Sequence, residues 1–381
     1  MNTATTRTTR DVTLPTIQVL RGAAASLVVL HHCALAAGAR TPTDSLVVNS
    51  GLGRLGACGV DIFFAISGFI MVFTTQRKGG IEDAVIFAKR RVLRIYPLYW
   101  IWSIVLLMLW VGGLTLKSSH YTSSFLIQSF LLIPCFNGHN YHPFLDQGWT
   151  LSFEVLFYLV FACAILLGLR KSKLLFLAGA FTALSCLSRL LPVHSGVRYL
   201  LSDSIMIEFL YGVLAAEVFI RLRALRDAWW IKILPFVLTT AGCVALLCTR
   251  KLEVTEGIRF VVYGLPALAI VFGGAMSGAR PRPRLLVYFG DASYSIYLTH
   301  IFFLMGFGVV LKHLPLRGQL ITDLAIAGTA LATIALSSIT YLLIERPITR
   351  IIAVKRRSVP FGQAMGRLDE LSPACNVSRS S

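Results

Sequence analysis

Apolar residues in this chain come in long runs separated by short polar or basic segments. A membrane-spanning helix needs about 20 mostly apolar residues. Ten runs approach that length: 17–37, 57–75, 97–113, 149–169, 174–191, 204–220, 231–248, 258–277, 291–311 and 320–344. Strands of an outer-membrane barrel would alternate apolar and polar positions, and these runs do not. The pattern predicts an all-α polytopic membrane protein with about ten transmembrane helices. An eleventh run, 125–134 (FLIQSFLLIP), is too short to cross and ends in proline.

The polar segments fix a direction. With the N-terminus inside and ten crossings, the dense basic groups (Arg77 to Arg94, Arg170 to Lys173, Arg221 to Arg226, Arg280 to Arg284, Arg346 to Arg357) all fall in cytoplasmic segments. A crossing at 125–134 would invert every later loop and break the positive-inside rule repeatedly. The loop 114–148 is therefore expected outside, where its His, Asn, Pro and Tyr content (CFNGHNYHPFLDQ) suits binding. Both termini are expected in the cytoplasm, as segments 1–16 and 351–381, the latter disordered, around a membrane domain at 17–350. No stretch is long enough for a soluble domain, so any chemistry must occur within the bundle.

Composition agrees. Hydrophobic residues are 56% and charged residues 14% of the 381, against about a quarter charged in soluble domains, which excludes disorder, coiled coil and collagen. The net charge of +18 reads as a topology signal, not as a nucleic-acid surface. The eight cysteines form no CxxC pair and no Cys/His metal spacing. Cys58 and Cys135 both fall outside and are expected to be buried independently of one another.

Ionisable groups inside apolar runs are costly and mark function by default. The first run holds Arg21 and His32, eleven positions apart and so on one helical face, about 16 Å apart along the axis. Gly22, Ala23, Ala24, Ala25 and Ser26 between them allow close approach by neighbours. Asp61 in GVDIFFAISGF and Glu154 in QGWTLSFEVLFY descend from the outer side, with Trp149 at the membrane entry. An acid beside His32 would orient it and raise its basicity, as a general base requires. A structural ion pair is the bland alternative, above all for Asp61.

On the opposite side, FAKRRVLRIYPLYW lets one helix present Arg90, Arg91 and Arg94 to a single anion. Pro97 predicts a helix break at the membrane entry, with a new helix N-terminus aimed at the same anion. Anchoring alone would need fewer basic residues. In DASYSIYLTH, Tyr294 and Tyr297 precede His300, a lone mid-helix histidine that reads most simply as a core residue. Glu345, at the exit of the last run, is placed to neutralise a cytoplasmic arginine.

Taken in order, LRGAAASLVVLHH, GVDIFFAISGFIM, FAKRRVLRIYPLYW, GWTLSFEVLFY, SYSIYLTH and the closing ERP resemble the membrane-bound acyltransferase family 3, in particular its branch that O-acetylates bacterial exopolysaccharides. The resemblance implies a multi-pass enzyme of the bacterial inner membrane. It implies acyl-CoA, acetyl-CoA first of all, as co-substrate with no bound cofactor, and a carbohydrate hydroxyl as acceptor. It places the family's essential histidine on His32, its arginine on Arg21, its CoA-gripping arginines on Arg90, Arg91 and Arg94, and its acid on Glu154. From their positions in the spans, Asp61 is the alternative acid in catalysis, and Trp149, Tyr297 and His300 are further candidates for acyl-CoA or substrate binding. His32 would serve as general base, or carry the acyl group transiently. A transporter or flippase for lipid-linked sugars and a non-catalytic scaffold are the competing readings.

Overall fold

The computed structural model describes residues 14–39, 45–116, 120–138, 140–170, 172–222, 225, 228–278, 282–311 and 318–357. The expected terminal segments, apart from their membrane-proximal residues, lie outside that set, as do Lys171, Arg223, Arg226 and Arg280 of the basic loops. Among the described residues the structure is helical with no strand.

The principal helices are α1 (Pro15–Gly38), α2 (Cys58–Thr74), α3 (Ile81–Val111), α4 (Ser123–Phe130), α5 (Gly148–Leu166), α6 (Lys173–Ser188), α7 (Met206–Leu222), α8 (Trp229–Thr249), α9 (Glu256–Met276), α10 (Arg284–Asp291), α11 (Ser293–Leu311) and α12 (Gln319–Thr340). A π turn over Tyr341–Glu345 continues α12 into Arg346–Arg357. Among the described residues, eight helices are long and apolar enough to cross a membrane. Two of the ten expected spans, 174–191 and 204–220, form the shorter α6 and α7, of 16 and 17 residues. The run at 125–134 contains only the eight-residue α4, as its length required.

The helix containing α2 is the axis of the bundle, with 83% of its apolar window inside protein. For α8 that share is 17%, so most of its circumference is an apolar surface of the kind lipid covers. Glycine sets the closest contacts. A Cβ at Gly68 would collide with the carbonyl of Phe209, and one at Gly212 with that of Ala65, so α2 and α7 touch backbone to backbone. In the same way Gly22 of α1 lies against Gly290 of α10, and Gly56 and Gly59 lie against α1.

The expected break at Pro97 does not occur: α3 runs unbroken from Ile81 to Val111. Proline at this position lacks the N–H that would meet the Leu93 carbonyl, and a helix can nonetheless continue across such a residue inside a membrane bundle. Nearby, the hydroxyl of Tyr294, on α11, donates to the Ile95 carbonyl at 2.7 Å and ties α3 to α11. No separate helix N-terminus is therefore aimed at the arginines. Cys58 and Cys135 are both free thiols.

The glycine contact generates a stability prediction. Gly68→Ala must separate α2 from α7 and is expected to destabilise by about 1–3 kcal/mol, read as a lower melting temperature in detergent-solubilised protein. Gly179, with nothing within 4 Å of an added Cβ, should tolerate the same change.

Candidate active site

A cavity of about 780 Å³ opens between α1, α2, α3, α5 and α11, within the size range of small-molecule sites. One end is basic: Lys78, Arg90, Arg91 and Arg94 line it. Arg94 is exposed, but into this cavity. Arg91 lies over the rings of Phe87 and Tyr158, at 5.3 and 5.4 Å, an arrangement that holds a guanidinium by cation–π attraction. Farther in, Arg21 also lines the cavity and donates to Gln18 at 3.1 Å. The three arginines of α3, which their spacing placed on one face, thus share one space with Arg21 of α1.

Acidic groups balance this cluster. Glu154 on α5 accepts from Ser67 at 3.1 Å and from the Tyr158 hydroxyl in a short contact. It is within electrostatic reach of Arg21, Arg91 and Arg94. Glu345 accepts from the Ser295 backbone and hydroxyl at 3.2 and 2.6 Å, and its charge faces Arg21 and Arg94. Uncompensated, five cations in an enclosed space would repel strongly; with the Glu154 and Glu345 carboxylates among them they persist as a site for polyanions.

The inner end of the cavity is closed by Phe63, Thr150 and Tyr297. The Tyr297 and Thr150 hydroxyls pair at 2.8 Å, and Tyr297 also donates to the Gln147 carbonyl at 3.3 Å. Behind Tyr297 stand two imidazoles, His300 and His32, with ring centroids 4.8 Å apart. His32 Nδ1 meets the Val28 carbonyl at 2.9 Å and His300 Nδ1 meets that of Tyr297 at 2.6 Å. A carbonyl only accepts, so each ring carries a proton on Nδ1, and it is Nε2 that is free to act as the acceptor when the ring is neutral. His300 is fully buried, and its Nε2 has no partner among the described residues.

Two expectations need correction. First, His32 is not oriented by an acid. Asp61 is fully buried and taken by Arg259, which donates to its two oxygens at 3.0 and 2.7 Å and to the Ala57 carbonyl at 3.0 Å. Glu154 is turned toward the arginines. A backbone carbonyl orients His32 instead, and the lone histidine His300 is its neighbour. Second, His32 does not line the cavity; the Tyr297 layer intervenes. Trp149, half-buried at the head of α5, stacks on His142 of the preceding loop at 5.4 Å, away from the cavity.

Sequence reasoning passed over Arg259 and Glu208. Glu208 is fully buried beside Asp61. The available signal was an arginine at the poorly basic end of a span, matched by two acids at the same level.

An all-helical multi-span fold with an arginine-lined internal cavity and a paired imidazole defines a membrane-embedded transferase more readily than a soluble enzyme. The profile of the acyltransferase domain of family 3 matches residues 14–343, and the chain belongs to that family: it is a multi-pass membrane O-acyltransferase. It is 30% identical over 302 residues to the exopolysaccharide production protein ExoZ of Rhizobium meliloti, covering 78% of this chain and 90% of the relative. It is 25% identical over 394 aligned positions to the acyltransferase MdmB of Streptomyces mycarofaciens, covering 91% and 94%. No solved structure matches the chain.

The Asp61–Arg259–Glu208 group makes its own prediction. Arg259→Ala leaves two carboxyls buried together and is expected to destabilise by about 3–5 kcal/mol. Asp61→Asn in that background should restore part of the loss, because the two sites are coupled. Melting temperatures of the two single variants and the double variant check this; simple additivity would contradict it.

Proposed function

We propose that this enzyme moves an acyl group, acetyl in the first instance, from acyl-CoA to a hydroxyl of a cell-surface carbohydrate such as an exopolysaccharide. The single observation that carries the reading is the arginine-lined cavity ending one tyrosine layer short of the His32–His300 pair. Guanidinium groups suit phosphates through paired, charge-assisted hydrogen bonds. Arg90, Arg91 and Arg94 hold the nucleotide end, and Arg21, farther in, meets the donor's pantetheine arm. The thioester end is directed toward Tyr297.

His32 acts as general base. Its Nε2 takes the proton of the acceptor hydroxyl while that oxygen attacks the thioester carbonyl; the C–S bond breaks, and the thiolate regains a proton to leave as CoA. Tyr297 must swing aside for donor and imidazole to meet, exchanging its bonds to Thr150 and the Gln147 carbonyl for others. The basic end of the cavity faces the cytoplasm of a bacterial inner membrane, consistent with the bias of the basic loops and with where acyl-CoA is found. The name of the Rhizobium relative, an exopolysaccharide production protein, supports a carbohydrate acceptor.

Transfer of label from radioactive acetyl-CoA to alkali-treated host polysaccharide, using protein in nanodiscs, tests the reading. His32→Ala is expected to lower transfer about 10²–10⁴-fold with unchanged folding, and Arg91→Ala to raise the KM for acetyl-CoA. Full transfer by the His32 variant overturns the assignment of the base.

A further inference from the structure

Beyond the cavity, on the far side of Tyr297, the loop before α5 has a construction of its own. Asn137 Nδ2 donates to Asn140 Oδ1 at 2.7 Å and to the His142 carbonyl at 3.4 Å. The backbone N–H groups of Asn140 and His142 donate to Asn137 Oδ1 and Asn140 Oδ1, each at 2.9 Å. These side chains fold the loop into a fixed platform by local bonds. What the platform presents is His142. Its ring lies parallel to Trp149, 12° between planes, and its Nδ1 is held by Asp146 Oδ1 at 2.8 Å.

The trio is only partly covered: the side chains of His142 and Asp146 are 25% and 61% exposed. His142 Nε2 and Asp146 Oδ2 have no partner among the described residues. An aromatic face with an oriented imidazole edge and a carboxylate at its rim matches a pyranose ring, whose axial C–H groups pack on π faces while its rim hydroxyls donate to carboxylate oxygen. A purely structural loop would gain little by exposing that chemistry.

Placement adds to this. Asp146 is followed by Gln147, whose carbonyl accepts from Tyr297. The Gln147 side chain is 3% exposed, and both of its amide atoms lack a hydrogen bond. Asp146 is also within electrostatic reach of Tyr297 and His300. The platform therefore adjoins the layer that closes the cavity, on the side away from the arginines.

We propose that Trp149, His142 and Asp146 form a binding subsite for one pyranose ring of the acceptor carbohydrate, with Gln147 available to the hydroxyl that enters. This rests on the acyl-transfer reading for its purpose, but binding itself is separable from transfer.

The experiment measures retention of alkali-treated host polysaccharide on nanodisc-embedded full-length protein with no acyl-CoA present, and transfer kinetics in parallel. Wild-type protein should bind. His142→Ala and Trp149→Ala should weaken retention at least tenfold and raise the polysaccharide KM similarly, with the acetyl-CoA KM changed less than twofold; Trp149→Phe should keep most of the binding. Because Trp149 also packs edge-on against Phe153, the loop variant His142→Ala carries the decision. Absent wild-type retention, or retention by His142→Ala equal to wild type whatever Trp149→Ala does, overturns the subsite. Retention by wild type without any label transfer supports the subsite and refutes the acyl-transfer reading instead.

Discussion

A charge that enters a membrane must meet either an opposite charge or water, because hydrocarbon supplies neither. This bundle uses both solutions, at opposite ends. At one end Arg259 is closed on Asp61 and the Ala57 carbonyl, and nothing larger than a side chain could share it. At the other, Lys78, Arg21, Arg90, Arg91 and Arg94 face a common cavity, with the carboxylates of Glu154, Glu345 and, toward Arg21, Asp291 within electrostatic reach. Similar residue types thus serve two purposes, and enclosure decides which. The satisfied pair fixes the helices, while the under-compensated cluster retains capacity for an anion.

Small residues make this division geometrically possible. Gly59 and Gly68, nine residues apart and so on opposite faces of α2, bring its backbone against α1 on one side and against α7 on the other, and Gly22 brings α1 against α10. Longer side chains of α2, among them Phe63, Ser67 and Ile70, line the cavity. Tyr294 ties α11 to α3 through the Ile95 carbonyl.

Much of this was legible in the chain. Run lengths gave the helices, and the i, i+3 and i, i+4 spacing of Arg90, Arg91 and Arg94 gave the shared face of α3. The eleven-residue interval likewise put Arg21 and His32 on one side of α1, although only Arg21 reaches the cavity. What the sequence could not reveal were pairings between distant helices. Asp61 found Arg259 rather than His32, 198 positions away along the chain, and His300 found His32. Period and composition describe each helix separately; which faces meet depends on packing among all of them.

The tyrosine at the blind end of the cavity has a consequence for the membrane as a whole. A water-filled passage running from the arginines to the platform would conduct protons and small ions, and each elementary charge crossing 100 mV dissipates about 2.3 kcal/mol of stored energy. By stopping the polar space at the Tyr297–Thr150 contact, the protein keeps a solvent-sized hollow inside the bilayer without making the cell leak.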